Sequence, residues 1–311
     1  MKKTWKILSI ILTVIAAGCL ITACVLLVRN VLMDRQNEET LEALRVSAEA
    51  IESSKDSGSS AAAAENAASS STDSGESETD SADADKEIGN PSSNMEAADA
   101  GEGNTGKVPV VNPYRDSFLA NEDMAAWIQV PGTNIDYPVM WTPQDENEYL
   151  YKDFNGKKNQ NGSLILDTDS CLEPLTTNLI IHGHNMKSGA MFGNLTDYEG
   201  ESYYKEHNEI ILYTEGVQRK YEVIAAFRSQ VYRKTDQVFK FYKFFQADTQ
   251  EEFDDFYNNI KALSLYDTGV TAQFGDHFLT LSTCVYHVEQ GRFVVVAKEV
   301  ENGDVYLPIE E

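Results

Sequence analysis

The stretch Phe278–Cys284, with the sequence FLTLSTC, combines aliphatic, aromatic and β-branched residues and ends in a cysteine. A short segment then leads to Arg292, which opens a second stretch of the same character at residues 293–297 (FVVVA). Two such stretches joined by a short loop predict a β-hairpin. In that hairpin the thiol of Cys284 ends one strand beside the guanidinium of Arg292, which starts the next. Cys284 is therefore a candidate nucleophile.

A candidate base for this thiol lies upstream, in residues 178–186 (NLIIHGHNM), which predict another apolar strand ending in histidines. A free thiol titrates near pH ~8.5, so a cysteine nucleophile needs a base or a positive neighbour to form the thiolate. Because side chains alternate along a strand, His182 and His184 face the same side, and the pattern alone does not choose between them. His287, close to the cysteine in sequence, is a reserve candidate.

If Cys284 attacks a carbonyl carbon, the carbonyl oxygen gains negative charge, and the guanidinium of Arg292 can stabilise that charge or orient a substrate backbone. The hydroxyl residues Ser282 and Thr283 are the predicted substrate-binding residues, and Ser282 shares a strand face with the cysteine. The alternatives are structural. Arg292 can be a surface charge, and Cys284 can be a small buried hydrophobe or half of a disulfide with Cys171.

Composition narrows the function further. The chain has 311 residues and a formal net charge of -25, which argues against a nucleic-acid partner, since binding phosphates needs a basic face. Asp167 and Asp169 open a segment that resembles a calcium loop, but Leu172 and Asn178 occupy the positions of its glycine and glutamate. The sequence contains no phosphate-binding loop, dinucleotide fingerprint or paired-cysteine zinc spacing. We expect no metal and no cofactor.

The N-terminus carries an almost unbroken apolar run at residues 7–28, which as a helix extends ~33 Å, enough to cross a bilayer. The lysines that precede the run place residues 1–6 in the cytoplasm and the rest of the chain outside the cell. A cleaved signal peptide and lipoprotein processing at residues 21–24 (ITAC) are the alternatives. The apolar run continues past that motif, which favours an uncleaved single-pass membrane anchor.

Residues 29–107 form the predicted tether, and most of this segment is rich in Ser, Ala and acidic residues with almost no aromatic residues. Such a composition buries too little apolar surface to offset the entropy of ordering, so we expect the tether to be largely disordered. Leu41, Leu44, Ala48 and Ile51 keep helical spacing and predict a short helix near the membrane. Residues 108–311 are the predicted catalytic domain.

The sequence of this domain predicts a mainly β fold. Its short strand-like stretches are separated by Pro, Gly and Asn turns and do not alternate with helices. Seven or eight such strands favour a closed or nearly closed barrel. One helix is inserted before the penultimate strand, where Thr249 and Glu252 form a capping box ahead of aromatic residues at helical spacing. Two further helical pieces are expected, at residues 113–119 and 121–127. The predicted strands are 128–130, 135–139, 163–166, 179–182, 209–213, 220–229, 277–284 and 292–300.

Over nearly all of residues 112–300 the chain resembles the class B sortases, the cysteine transpeptidases of bacterial cell walls. The resemblance implies the eight-stranded sortase barrel with N-terminal helices, and it selects His184, which follows the glycine, as the catalytic histidine. It also implies cleavage of a C-terminal sorting motif after threonine through a thioacyl enzyme, which an amine of peptidoglycan then resolves. The motifs that carry it are 127–139 (WIQVPGTNIDYPV), 183–186 (GHNM), 191–193 (MFG), 280–284 (TLSTC) and 292–298 (RFVVVAK), with the helix at 249–263.

The chain departs from the family at two places that matter for the site. His182 stands where the family usually has tyrosine, so it is either a supporting residue that tunes pH dependence or a surface histidine. Val285 and Tyr286 follow the cysteine where some members have an acidic residue, so no fourth catalytic carboxylate is expected. The expected partners are surface-protein precursors, a peptidoglycan amine and the membrane. A thioester-hydrolysing cysteine peptidase, a pilin-polymerising sortase and a tethered binding protein are the alternatives.

Overall fold

The computed structural model of the protein describes residues 2–66, 108–286 and 288–309. Its main body is a closed β-barrel with the strand order β1-β2-β3-β4-β7-β8-β6-β5. Most neighbours are antiparallel, while β2 with β3 and β4 with β7 are parallel. This confirms the prediction of a mainly β, eight-stranded closed barrel. The strands are β1 Met124–Gln129, β2 Asp136–Met140, β3 Leu164–Leu166, β4 Asn178–Gly183, β5 Glu209–Thr214, β6 Val217–Gln230, β7 Phe278–Cys284 and β8 Gly291–Val305.

The helices lie at the N-terminus and in the connections between strands. The expected helix at residues 113–119 is observed as α2, but the one expected at 121–127 is wrong, because the chain there enters β1. Pairing with β2 on one side and β5 on the other outweighs the local helical pattern of that stretch. The helices are α1 Lys2–Asn66, α2 Arg115–Ala120, α3 Glu201–Glu206 and α4 Gln250–Leu263, with 3₁₀ helices at Leu195–Glu199 and Phe241–Lys243.

Alternation along β7 and β8 divides their side chains between two cores. Leu279 and Leu281 belong to the core inside the barrel, with Phe293 and Val295 of the facing strand. Phe278 belongs to a second core outside the barrel, which α4 covers. Residues with even numbers on β7 therefore face outward, and Ser282 and Cys284 continue this outward row beyond the part that α4 covers.

Helix α4 forms as the sequence predicts. Thr249 is its N-cap, and the reciprocal hydrogen bonds with Glu252 complete the capping box. The helix buries Phe253, Phe256 and Ile260 on one face, in the order that helical spacing requires. It lies directly before β7 in the chain, so the helix predicted ahead of the penultimate strand is confirmed.

Helix α1 differs from the expected tether. Residues 29–66 continue the helix of the apolar N-terminal segment, while residues 67–107 lie outside the described residues. Leu41 and Ala48, two of the residues with predicted helical spacing, are buried where α1 packs against the barrel. Burial of this face stabilises the helix in a way that composition alone does not reveal. The described part of α1 from Ile15 is long and apolar enough, by length and composition, to cross a membrane.

A charged contact fixes α1 on β2. Arg45 donates from Nε and Nη2 to the backbone oxygen of Asp136, at 3.2 and 2.8 Å, and its Nε lies 3.2 Å from the Asp136 carboxylate. The other carboxylate oxygen accepts a hydrogen bond of 2.6 Å from Trp127 Nε1. Burial raises the pKa of Asp136 above its usual range, even though Trp127 and Arg45 favour the charged form. The contact therefore compensates part of the cost of burying this carboxylate.

We expect Arg45→Met to destabilise the full-length protein in detergent by about 1–3 kcal/mol, because the Asp136 oxygens lose charged donors. Thermal unfolding should then begin several degrees lower than in the wild type. Lys205→Met is the matched control, since Lys205 pairs with Glu201 in an exposed ion pair on α3 and should leave unfolding unchanged. Equal melting temperatures for Arg45→Met and the wild type would contradict the docking of α1.

Candidate active site

Cys284 and Arg292 are direct cross-strand partners in the antiparallel ladder of β7 and β8. Side chains at such positions project to the same side, with Cβ atoms ~4.5–5.5 Å apart. The guanidinium Nη1 of Arg292 donates to the backbone oxygens of Gln290 and Gly291, at 3.3 and 3.0 Å. Both side chains remain partly exposed, so a substrate can reach the thiol and the guanidinium together.

Strand β4 runs parallel to β7 on its other side and brings the histidine to the same level. His182 pairs with Ser282 and Gly183 with Thr283 in the register of the two strands. His184 directly follows Gly183, just as Cys284 directly follows Thr283. The structure thus places the three predicted catalytic residues at the neighbouring ends of β4, β7 and β8.

The imidazole of His184 is oriented by a backbone carbonyl. Its Nε2 lies 2.8 Å from the oxygen of Leu150, and the ring of Tyr151 stands 5.4 Å away, tilted by 30°. A carbonyl oxygen only accepts hydrogen bonds, so Nε2 carries a hydrogen and Nδ1 is the nitrogen that can exchange a proton. Gly162, at φ +61°, keeps this arrangement, because a Cβ there would overlap the Leu150 carbonyl.

Two hydrogen bonds connect the histidine segment to the cysteine strand. The hydroxyl of Thr283 donates to the oxygen of Gly183 at 2.8 Å, and Asn185 Nδ2 donates to the oxygen of Cys284 at 2.8 Å. Thr283 is only 1% exposed, so its hydroxyl faces protein and not substrate. The substrate-binding role of Thr283 stays a prediction, while its hydroxyl here contacts the backbone of Gly183, which directly precedes His184. Asn185 was missed in the sequence analysis, although its place directly after His184 was a usable signal.

Ser282, the other predicted substrate-binding residue, is also buried, with 1% of its surface exposed. Its hydroxyl oxygen has no hydrogen-bond partner among the described residues. A buried hydroxyl without a partner is costly. The residue lies on the outward row with Cys284, directly below the nucleophile.

His182 has a partner that the sequence did not suggest. Its Nε2 lies 3.0 Å from Oδ2 of Asp167, the residue that opens the apparent calcium loop. Burial alone would raise the pKa of Asp167, but the hydrogen bonds from His182 and from the Asp169 amide outweigh burial and lower it. His182 is thus one half of an Asp-His pair, with its own side chain 37% exposed and the carboxylate of Asp167 more buried.

The disulfide alternative is not what the structure shows. Cys171 and Cys284 are both free thiols, so the structure contains no bridge between them. Cys171 Sγ instead lies 3.1 Å from the oxygen of Glu173. His287 lies outside the described residues. Among the residues that the structure describes, no group of three or more His, Cys, Asp or Glu side chains is arranged to hold a metal ion.

The barrel and its cysteine site agree with comparisons to known proteins. A model of the sortase domain matches residues 128–300. Sortase B of Listeria monocytogenes is 31% identical over 193 residues, which cover 61% of this chain and 75% of that protein. Sortase B of Staphylococcus aureus is 30% identical over 186 residues, which cover 58% of this chain and 72% of that protein.

Solved structures give the same result. The Staphylococcus aureus sortase B-substrate complex superposes with a TM-score of 0.55 and 28% identity, covering 61% of this chain and 86% of that one. Clostridium perfringens sortase B superposes with a TM-score of 0.54 and 28% identity, and the match covers 60% of this chain and 99% of that one. The chain therefore belongs to the sortase family, as a class B member. It is a cysteine transpeptidase.

We expect Arg292→Lys to lose most activity although the charge is kept, because an ammonium cannot reproduce the planar fork of a guanidinium beside Cys284. If an oxyanion contact is broken, the loss should appear in kcat and amount to about 2–4 kcal/mol of transition-state stabilisation. Arg228→Lys, which changes an arginine of β6 that pairs with exposed Glu199, is the control and should retain turnover. Near wild-type kcat for Arg292→Lys would refute this role.

Proposed function

We propose that this protein cleaves a C-terminal sorting motif after threonine and joins the released acyl group to an amine of peptidoglycan, attaching surface proteins to the cell wall. The observation that carries the proposal is the register of β7 with β4 and β8. In support, Cys284 pairs with Arg292 of β8, and the Gly183–Thr283 pair of β4 and β7 directly precedes His184 and Cys284 in the chain. One nucleophile, one proton donor and one oxyanion ligand suffice for acyl transfer.

In the first half-reaction the thiolate of Cys284 attacks the carbonyl carbon of the threonine. Negative charge develops on the carbonyl oxygen, where the Arg292 guanidinium can stabilise it. The carbon-nitrogen bond then breaks, and the departing amine takes a proton from Nδ1 of His184, because Nε2 is committed to Leu150. The product is a thioester between Cys284 and the threonine.

In the second half-reaction an amine replaces the leaving group. It attacks the thioester carbonyl and gives its proton to Nδ1 of His184, while the carbon-sulfur bond breaks and restores the thiolate. The partners proposed here are a surface-protein precursor and a cross-bridge amine. Two related structures are a sortase B-substrate complex and a sortase B complexed with triglycine, which supports a peptide donor and an amine acceptor.

We further propose that α1 anchors the enzyme as a single membrane span. Two features support this proposal. The N-terminal part of α1 is long and apolar enough to cross a membrane, and lysines precede the apolar run in the sequence. In this orientation residues 1–6 are cytoplasmic and the barrel faces the outside, where its peptidoglycan acceptor is found. The alternative of a cleaved signal segment makes the same catalytic domain but releases it from the membrane.

The proposal is tested by mixing the full-length protein in detergent with fluorescent peptides that contain Asn-Pro-x-Thr-Asn or Pro-x-Thr-Gly, with and without triglycine. We expect cleavage after threonine and, with the amine, a new amide product identified by mass spectrometry. Cys284→Ala is the blank and should give neither product. Hydrolysis that triglycine never diverts would favour a peptidase, and the absence of any cleavage would favour a tethered binding protein.

The assignment of the histidines is tested separately. We expect His184→Ala to abolish both half-reactions, because the variant lacks the Nδ1 atom that gives a proton in the first and takes one in the second. His182→Tyr, which restores the usual family residue, should keep turnover. Steady-state rates of the two variants, measured across pH, decide whether His184 or His182 exchanges the proton. An active His184→Ala enzyme beside an inactive His182→Tyr enzyme would mean that the roles are reversed.

A further inference from the structure

The buried face of α1 lies behind the segments that hold His184, and the reaction proposed above gives this face no role. Leu41 is 3% exposed and belongs to the same apolar cluster as Met191. Asn37 lies one turn earlier on the same face of the helix and is also buried. These two α1 residues border a small gap whose opposite wall includes Gly162 and Met191. The helix therefore packs on two segments of the barrel domain, one at Gly162 and one at Met191.

The segment at Gly162 supports the hydrogen bond that orients the imidazole. A Cβ at this position would lie 2.3 Å from the oxygen of Leu150 and 3.2 Å from Cδ2 of His184, so the turn lies against both partners of that bond. The next residue, Ser163, donates from its amide to the oxygen of Tyr149 at 3.1 Å. A shift of this turn would therefore also move the carbonyl that holds His184.

The segment at Met191 pairs with the chain around the histidine. Met191 forms a β-bridge with Asn185, and the amide of Phe192 donates to the oxygen of His184 at 3.1 Å. The backbone of Met191 has a φ of +53°, which residues other than glycine rarely adopt and which surrounding contacts must maintain. Its side chain is buried, and Leu41 of α1 provides part of the surrounding packing.

We propose that Leu41 is a positioning residue for the reaction. It packs behind the Gly162 turn and Met191, and through these two segments it holds His184 in the orientation that proton transfer requires. This inference rests on the proposed role of His184. Because α1 also contains the apolar segment proposed as the membrane anchor, one continuous helix anchors the enzyme and supports its histidine. Full turnover therefore requires the docked helix as well as the barrel.

The test uses the full-length protein in detergent and whichever of the Asn-Pro-x-Thr-Asn and Pro-x-Thr-Gly peptides the wild type cleaves. Leu41→Ala removes the packing atoms, and Leu41→Met keeps an apolar side chain of similar volume. Val46→Ala is the matched control on the same helix, since Val46 is 55% exposed. Ile260→Ala controls for lost stability, because this buried residue of α4 belongs to the core outside the barrel.

We expect Leu41→Ala to lower kcat by about ten- to hundredfold with little change in KM, because a small displacement of a reacting group slows the chemical step. Leu41→Met should recover most of the lost turnover. Val46→Ala should match the wild type. Ile260→Ala should unfold at a lower temperature but keep its kcat below that temperature.

Hydrogen exchange measured by mass spectrometry gives a readout that does not depend on activity. The amide of Phe192 bonds to the oxygen of His184, so it should exchange faster in Leu41→Ala than in the wild type. Val46→Ala should leave its exchange unchanged. In Ile260→Ala the faster exchange should appear in α4 instead.

A wild-type kcat in Leu41→Ala would overturn the inference and leave the proposed function intact. An equal fall of kcat in Ile260→Ala would also overturn it, because the loss would then reflect stability and not the position of His184. A wild-type protein that cleaves neither peptide would overturn the proposed function. In that case the exchange of the Phe192 amide alone decides whether Leu41 holds the histidine segment in place.

Discussion

The site depends on the register of one strand. β7 is hydrogen-bonded to β4 in parallel and to β8 antiparallel, so each residue of β7 has a fixed neighbour on both sides. Cys284 meets Arg292 across one ladder and follows the Thr283–Gly183 pair in the other. A slip by one residue would turn the thiol toward the barrel interior and bring Leu281 outward, where its burial would be lost. The apolar core therefore holds the catalytic geometry in place.

The sheet brings the histidine and cysteine segments close together, and polar contacts then fix their relative positions. Leu150 holds one nitrogen of His184, and Thr283 and Asn185 connect the two segments that carry the histidine and the cysteine. Each of these contacts uses a backbone oxygen, whose position follows from the fold and not from a mobile side chain. Such support is what keeps a reacting group within reach of a substrate carbonyl.

The docked part of α1 changes how the barrel relates to its N-terminal segment. An acidic, Ala-rich sequence is compatible with a solvated tether. In the structure, however, Leu41 and Ala48 are buried against the barrel, and Arg45 forms an ion pair with Asp136. The gain from burial and from the charged contact offsets the entropy of ordering this stretch. The helix and the barrel therefore form one unit as far as these contacts extend.

The sequence by itself determined the strands, the capped helix α4 and the proximity of Cys284 and Arg292, because alternation, capping and hairpin signals are local. It also identified the family through motifs that surround the cysteine and His184. Only the tertiary structure decided that Thr283 bonds to Gly183, that His182 pairs with Asp167, and that residues 121–127 enter β1 instead of a helix. These outcomes depend on contacts between segments far apart in the chain. The free energy of such contacts resides in burial and partner geometry, which no local pattern encodes.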